Sequence, residues 1–275
     1  MALCKYIAGL LLMYTCGVNV FGQAPIARKF DGFGDVQLSD LAARLDNFAI
    51  ALQNEPQQKG FIMVYRSRRD LPGLSSALAE WSKNYLVYNR GFAEGRIIAI
   101  DGGIADCVSQ EFWLVPLGAA PTARSDAYDS TFEDLESTRK FYADSFYARD
   151  FVAETYSFDV SNAFEGYSQA LRKAPKSFAY LIGYAGYRTE YISEFNKNGI
   201  EIKRRRRVII EPVREARRQI AREKALLVNK YKIPASRIRT TFGGYRDWPT
   251  MELWIVPGGA HAPIATPNKF ARRDR

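Results

Sequence analysis

Apolar positions along this chain recur with two different spacings. Leu38, Leu41, Leu45, Phe48 and Leu52 fall three or four residues apart, which gathers them on one helical face with Asp40, Arg44, Asp46 and Gln53 among the polar positions. Pro56 closes that helix. Residues 60–65, GFIMVY, form a short, nearly continuous apolar run of the kind found in a strand covered on both faces. A second helical stripe follows over 74–89, with Leu78, Trp81, Tyr85 and Leu86 on its inner side, and Phe30, Phe33 and Val36 suggest a strand ahead of the first helix.

The same succession then returns. A helix over 161–173 aligns Ala163, Phe164, Tyr167 and Leu171, Pro175 stands where Pro56 stood, 178–184 repeats the buried strand, and a helix resumes around 219–229. The repeat is plainest in residues 237–260, RIRTTFGGYRDWPTMELWIVPGGA, against 96–119, RIIAIDGGIADCVSQEFWLVPLGA. Without a gap the two share Arg, Ile, Gly-Gly, Asp, Glu, Trp, Val, Pro and the closing Gly and Ala, and such self-similarity fixes architecture before any motif does. Each copy reads as a β-hairpin, with Gly102-Gly103 and Gly243-Gly244 at the turn and Pro116 and Pro257 ending the second strand. No Gly-rich phosphate motif surrounds either glycine pair. The matched Trp113 and Trp254 are read as filling space under a helix.

The fold expected is therefore α/β (α+β): two tandem β-α-β-α-β-β units, each a mixed sheet with two helices on one face. The first unit covers 25–120, a linker with a weak helical pattern over 132–146 covers 121–150, the second unit covers 151–260, and 261–275 is a loose tail. An alternating segment at 151–160 opens the second unit. The second copy is longer between its buried strand and its second helix, and the added residues lie roughly in 185–218. They hold ten Lys or Arg and five Glu, with Arg204, Arg205, Arg206 and Arg207 together between Ile200, Ile202, Val208 and Ile210. That arrangement predicts two short strands joined by a basic tip.

Charge and export narrow the setting. Lys5, an apolar run from Tyr6 to Tyr14 and the small or polar residues ending Gly22-Gln23-Ala24 form an export-signal pattern over 1–24, too short an apolar run to span a bilayer. The expected location is the periplasm or cell envelope, with outer-membrane association and lipidation of Cys16 as further options. Two of three cysteines lie in that segment, so Cys107 stands alone and no disulfide framework exists. With 39 Lys and Arg against 30 Asp and Glu, the formal charge is +9 and favours acidic partners. Export argues against nucleic acid, and no later stretch suits a transmembrane helix.

Catalytic and metal chemistry have few candidates. The single histidine, His261, follows the last strand, and no paired His or Cys spacing suggests a metal or a catalytic triad, so no catalytic, metal or cofactor residue is assigned. Carboxylate pairs such as Asp101 with Asp106, or Asp134 with Glu136, are of ordinary surface density. Anion binding is assigned instead to Arg66, Arg68 and Arg69 in a basic loop after the buried strand, and to Arg204–Arg207, since guanidinium forks grip carboxylates and phosphates. The bland alternative is a solvated charged hairpin. Tyr180, Tyr184, Tyr187 and Tyr191 offer either stacking on sugars or half-buried packing.

Residues 231–238, YKIPASRI, after a helix containing Ala221 and Leu227-Val228, resemble the OmpA-like C-terminal domain family; Tyr85-Leu86, Arg90-Gly91-Phe92 and Arg96-Ile97 show the same frame in the first unit. The resemblance covers most of both units at the level of pattern. It implies a β-α-β-α-β-β fold and non-covalent binding of peptidoglycan by an Asp after the buried strand and an Arg on the second helix. Here Arg66 and Ala185 follow the buried strands, and the helix positions fall at Ala79 and Ile220. The function expected is a non-catalytic, exported envelope binding or scaffold protein engaging peptidoglycan or another anionic envelope polymer. The alternative is a protein–protein interaction module, with an unrecognised hydrolase third.

Overall fold

The computed structural model describes residues 25–128, 137–145, 160–210 and 212–268, apart from the side chains of 144–145, 187–191 and 206–209. The expected signal segment 1–24, most of the segment 151–160 and the end of the tail lie outside these residues.

The fold is mixed α+β. In the first half, β1 (Arg28–Gly34), α1 (Leu38–Asn54), β2 (Lys59–Arg66), α2 (Leu74–Asn84), β3 (Ile97–Ile104) and β4 (Ser109–Val115) build a sheet in the order β1-β4-β2-β3. In the second, β5 (Arg139–Ser145), α3 (Phe164–Lys173), β6 (Phe178–Phe195), β7 (Glu201–Ile210), α4 (Val213–Asn229), β8 (Ile238–Arg246) and β9 (Thr250–Val256) build a sheet in which β5, β9, β6 and β8 hold the matching places. In both, the central strand is parallel to one neighbour and antiparallel to the other.

The expected hairpins are not formed. β3 and β4 do not pair, because β2 lies between them, and β6 separates β8 from β9 in the same way. The strands themselves were placed correctly; their partner was not, since strand propensity carries no information about which strand intervenes. The glycine pairs accordingly sit inside β3 and β8 rather than at turns. Gly103 and Gly244 have φ of 94° and 100°, a conformation that favours glycine, and the register of each parallel pair slips at this point. A Cβ on Gly102 would lie 2.6 Å from the Tyr65 ring, and one on Gly243 would lie 2.4 Å from the Tyr184 ring. Both pairs are thus needed to seat a buried tyrosine.

Residues 139–145, expected within a linker of helical pattern, form the edge strand β5. Arg139-Lys140-Phe141 repeats Arg28-Lys29-Phe30 of β1, and both triplets carry a register slip at the same place, between Lys29 and Asp31 and between Lys140 and Tyr142. The weak helical spacing over 132–146 hid this short strand. α4 begins at Val213, earlier than the 219 expected, because Pro212 supplies its N-terminal boundary.

One apolar cluster runs through both halves. Leu45, Phe48, Ile62, Phe112 and Leu86 of the first half join Phe164, Tyr167, Leu181, Leu253 and Ile238 of the second. α2 meets the second half directly: the Gly73 N–H donates to the Phe141 carbonyl at 2.8 Å, and Asn84 Nδ2 donates to Asn162 Oδ1 at 3.0 Å. Gly166 lies so close to α2 that a Cβ there would be 2.4 Å from Ser76 Oγ.

The repeated Arg has a structural use. Arg96 Nη2 donates to the carbonyls of Leu52 (2.9 Å) and Gln58 (3.1 Å), at the C-terminal end of α1 and the turn beyond it. Arg237 does the same for α3, reaching Leu171 and Ala174 (both 2.8 Å) and Ser177 (2.7 Å). Each guanidinium satisfies carbonyls that a helix end leaves without intrahelical partners.

Candidate functional site

The sheet faces away from the helices carry a second matched arrangement. In the first half, Lys29 Nζ donates to Glu111 Oε1 at 2.6 Å and Trp113 Nε1 donates to Glu111 Oε2 at 3.1 Å. In the second, Lys140 Nζ donates to Glu252 Oε1 at 2.6 Å and Trp254 Nε1 to Glu252 Oε2 at 3.0 Å. Glu252 also accepts from Arg246 Nη2 at 3.0 Å and from the Tyr184 hydroxyl at 3.2 Å. Burial pushes the Glu252 carboxyl up, but the donors from Lys140, Trp254 and Arg246 outweigh it, so the group lies below the usual carboxylate range. Trp113 and Trp254 therefore do not sit under helices as expected. They alternate with core residues Phe112, Leu114, Leu253 and Ile255, which face the helices, and so occupy the opposite face.

Later segments lie against both of these faces. The Arg124 N–H donates to the Tyr65 hydroxyl at 3.3 Å, and Tyr128 pairs with Ile104 through 2.9 and 3.1 Å backbone bonds. The Thr266 N–H donates to the Tyr184 hydroxyl at 3.1 Å, the Asn268 N–H to the Tyr245 carbonyl at 2.9 Å, and the Arg246 guanidinium stacks 3.6 Å over the Tyr184 ring. Residues 261–268, expected as part of a loose tail, thus contact the second sheet. Glu252 accepts from four donors and Glu111 from two, which ties each carboxylate into the framework of its sheet.

The arginines assigned to anion binding separate into different environments. Arg66 ends β2 instead of opening a loop and is 3% exposed, with Nη1 donating to the Ser67 carbonyl at 3.2 Å. Burial lowers its pKa from the usual arginine value. It does not present a guanidinium to solvent. Arg68 and Arg69 do lie exposed in the following turn, where the Ser67 N–H donates to Asp70 Oδ2 at 2.8 Å and Arg68 stacks 4.6 Å over Tyr128.

Arg204–Arg207 do not occupy a tip. They lie within β7, at positions paired with Ser193, Ile192, Tyr191 and Glu190 of β6. The tip is the four-residue turn 196–199, in which the Asn196 side chain accepts from the backbone of Asn198 and Ile200, both at 2.9 Å. Arg204 and Arg205 are exposed, and Arg205 Nη2 lies 3.4 Å from Glu194 Oε1. Consecutive strand positions belong to opposite faces, so 204 and 205 serve different sides of the ribbon.

Other candidates are dispersed. Ala79 and Ile220, the positions that the family resemblance marks for a helix Arg, are both core residues. His261 is exposed and its carbonyl accepts from Thr138 Oγ1 at 2.5 Å, while Cys107 is an exposed thiol. Tyr184 is buried and Tyr180 half-buried. Among the described residues no cluster of three His, Cys, Asp or Glu is placed to hold a metal, and no helix is long and apolar enough to cross a membrane. A cleft of about 370 Å³ lies beside α4, lined by Ser161, Arg222, Glu223, Leu226 and Lys230, with Glu223 accepting from Gln219 and Arg222. Comparison with protein-family models, curated proteins and solved structures finds no match.

The two strands expected in 185–218 are present as a ribbon; what sequence reasoning misplaced is its turn, which lies at 196–199 ahead of the arginines, and the length of its strands. β6 runs on past the sheet, and its distal part pairs with β7 alone. The signal was present: Ile200 and Ile202 alternate with polar neighbours, as Ile192 does with Ser193 and Glu194.

Proposed function

We propose that this chain is a non-catalytic binding or scaffold module of the bacterial cell envelope, engaging an anionic envelope polymer such as peptidoglycan or another anionic glycan. The observation that carries the reading is the ribbon: a basic strand, β7, held by β6 alone and presenting Arg204 and Arg205 to solvent. Arg68 and Arg69 contribute a second exposed basic turn. Arg66, being buried, serves the end of β2 instead. The net charge of +9 favours anionic partners generally. The resemblance to OmpA-like C-terminal domains supports an exported, wall-associated role; the first half runs β-α-β-α-β-β, and the second adds β7 to that order.

The test is retention on purified peptidoglycan sacculi at low and physiological salt, beside one variant with Arg204–Arg207 changed to Ser and another with Arg68 and Arg69 changed to Ser. Retention that is strong at low salt, weakens towards physiological salt and is lost by the ribbon variant supports the reading. No retention of the intact protein sinks the polymer as ligand. A second reading, a protein–protein interaction module, is favoured by the outer edge of β7, where a partner strand would find unpaired backbone groups. Salt separates the two, since simple charge attraction fades with ionic strength while an edge pairing with apolar contacts persists.

A further inference from the structure

The end of the ribbon is apolar as well as basic. Phe195 is 60% exposed, Ile200 61% and Ile202 63%, and all three cluster around the turn 196–199. This is not a collapsed loop with side chains left over. The Asn196 side chain holds two backbone N–H groups, the Asn196 N–H donates to the Ile200 carbonyl at 2.9 Å, and Gly199 takes a φ of 75° that closes the turn. A register slip at Phe195 leaves Ile202 as the extra residue of the pair, which turns the strand at that point. The turn is therefore closed by its own hydrogen bonds where the apolar residues are most exposed.

Cations surround these residues. Residues 192–207 contain six Lys or Arg against two Glu, with Lys197 in the turn and Lys203, Arg204 and Arg205 directly behind it. Binding to an anionic polymer accounts for the cations but not for Ile200 and Ile202, and an apolar protein groove accounts for the apolar residues but not for the cations. A bilayer surface of anionic lipid uses both: phosphate headgroups meet the cations while apolar side chains reach the acyl boundary about 5–10 Å below. We infer that the end of the β6–β7 ribbon docks on an anionic lipid surface, with Phe195, Ile200 and Ile202 entering the headgroup layer and Lys197, Lys203, Arg204 and Arg205 contacting lipid phosphates. Attachment of this kind is peripheral and requires no spanning segment. It goes beyond the polymer reading and does not depend on it.

The experiment is flotation of the purified protein with vesicles of phosphatidylcholine alone and of phosphatidylcholine with about one third phosphatidylglycerol. Two variants are run beside it, one with Phe195→Ser and Ile202→Ser, the other with Arg204→Ser and Arg205→Ser; all four positions are exposed, so both variants keep the fold. The intact protein floats with the anionic vesicles and not with the neutral ones. The arginine variant loses on the order of 25-fold in partitioning, from about fivefold per cation at such a surface, and the apolar variant loses at least about tenfold. A third variant, Phe195→Trp, shows a blue shift of its emission with anionic vesicles. Absence of flotation overturns the inference, even if sacculi retain the protein. Flotation that the apolar variant leaves unchanged overturns it too, since it reduces the contact to surface charge.

Discussion

Replacing Glu252 by Gln tests whether the helix-free face of the second sheet is held by its buried carboxylate. The Glu252 side chain is 1% exposed and takes four donors, two of them cations, Lys140 and Arg246, at 2.6 and 3.0 Å. Removing one member of a buried ion pair costs about 3–5 kcal/mol, because the partner is left uncompensated. Lys140 and Arg246 keep 30% and 18% side-chain exposure, so water screens part of that loss and about 2–3 kcal/mol remains. Glu111 provides an internal scale. It holds one cation, Lys29, which is 44% exposed, together with the Trp113 N–H, so Glu111→Gln costs only about 1 kcal/mol.

For a chain of this size a loss of 1 kcal/mol lowers Tm by about 2–4 °C, so Glu252→Gln lowers it by about 4–12 °C. Acidity supplies a second readout. Glu252 titrates below its ordinary value of 4.5 in the folded protein, and a depressed carboxyl stabilises the fold fully above its unfolded pKa and loses that contribution as pH falls through the folded one. The difference between wild type and Glu252→Gln is therefore constant from about pH 6 to 8 and narrows below about pH 4.5. Thermal unfolding followed by circular dichroism across that range measures both. A Glu252→Gln protein within about 1 °C of wild type, or a Glu111→Gln protein losing more than it, would refute the reasoning.

Four further substitutions probe the frame. Gly102→Ala and Gly243→Ala each drive a methyl group into a buried tyrosine ring, and urea unfolding shows about 1–3 kcal/mol lost in either case. Arg237→Met removes the donors to Leu171, Ala174 and Ser177 and costs about 2 kcal/mol in the same assay, with faster amide exchange at the end of α3. Gly166→Ala forces α2 and α3 apart at Ser76 and costs about 1–3 kcal/mol, read as a lower urea midpoint.

The helices and strands were legible in the sequence to the extent that one face of each is apolar. Leu41, Leu45, Phe48 and Leu52 are all buried on α1, and the run 60–65 is β2. Pairing was less legible. The sequence places β3 and β4 in succession with two glycines between their apolar cores, and nothing in either strand announces that β2 intervenes. β5 escaped because its apolar residues, Phe141 and Tyr142, are adjacent rather than alternating, the result of the register slip that follows Lys140. Only comparison with Arg28-Lys29-Phe30 marks it. At the candidate site, the arginine run was visible, but burial of Arg66 was not, because an Arg next to two exposed arginines looks like one of them.

The distribution of repeated and unrepeated features bears on where binding resides. Gly-Gly, Glu, Trp, Lys and the Arg clamp recur in both halves, and in each they are engaged within the chain: the glycines with a tyrosine ring, the Glu with a Lys and a Trp, the Arg with helix-end carbonyls. A feature whose donors and acceptors are already matched inside the fold has little left for a ligand. The ribbon has no counterpart in the first half, where β2 passes directly through a short turn into α2. It also departs from the frame's chemistry, leaving Phe195, Ile200 and Ile202 in water beside a run of cations. Exposing three such side chains has a cost that packing within the chain would have relieved, and the turn at 196–199 holds them out instead. Function in this molecule is therefore sought in what the second half adds to the frame rather than in the motif that the two halves share.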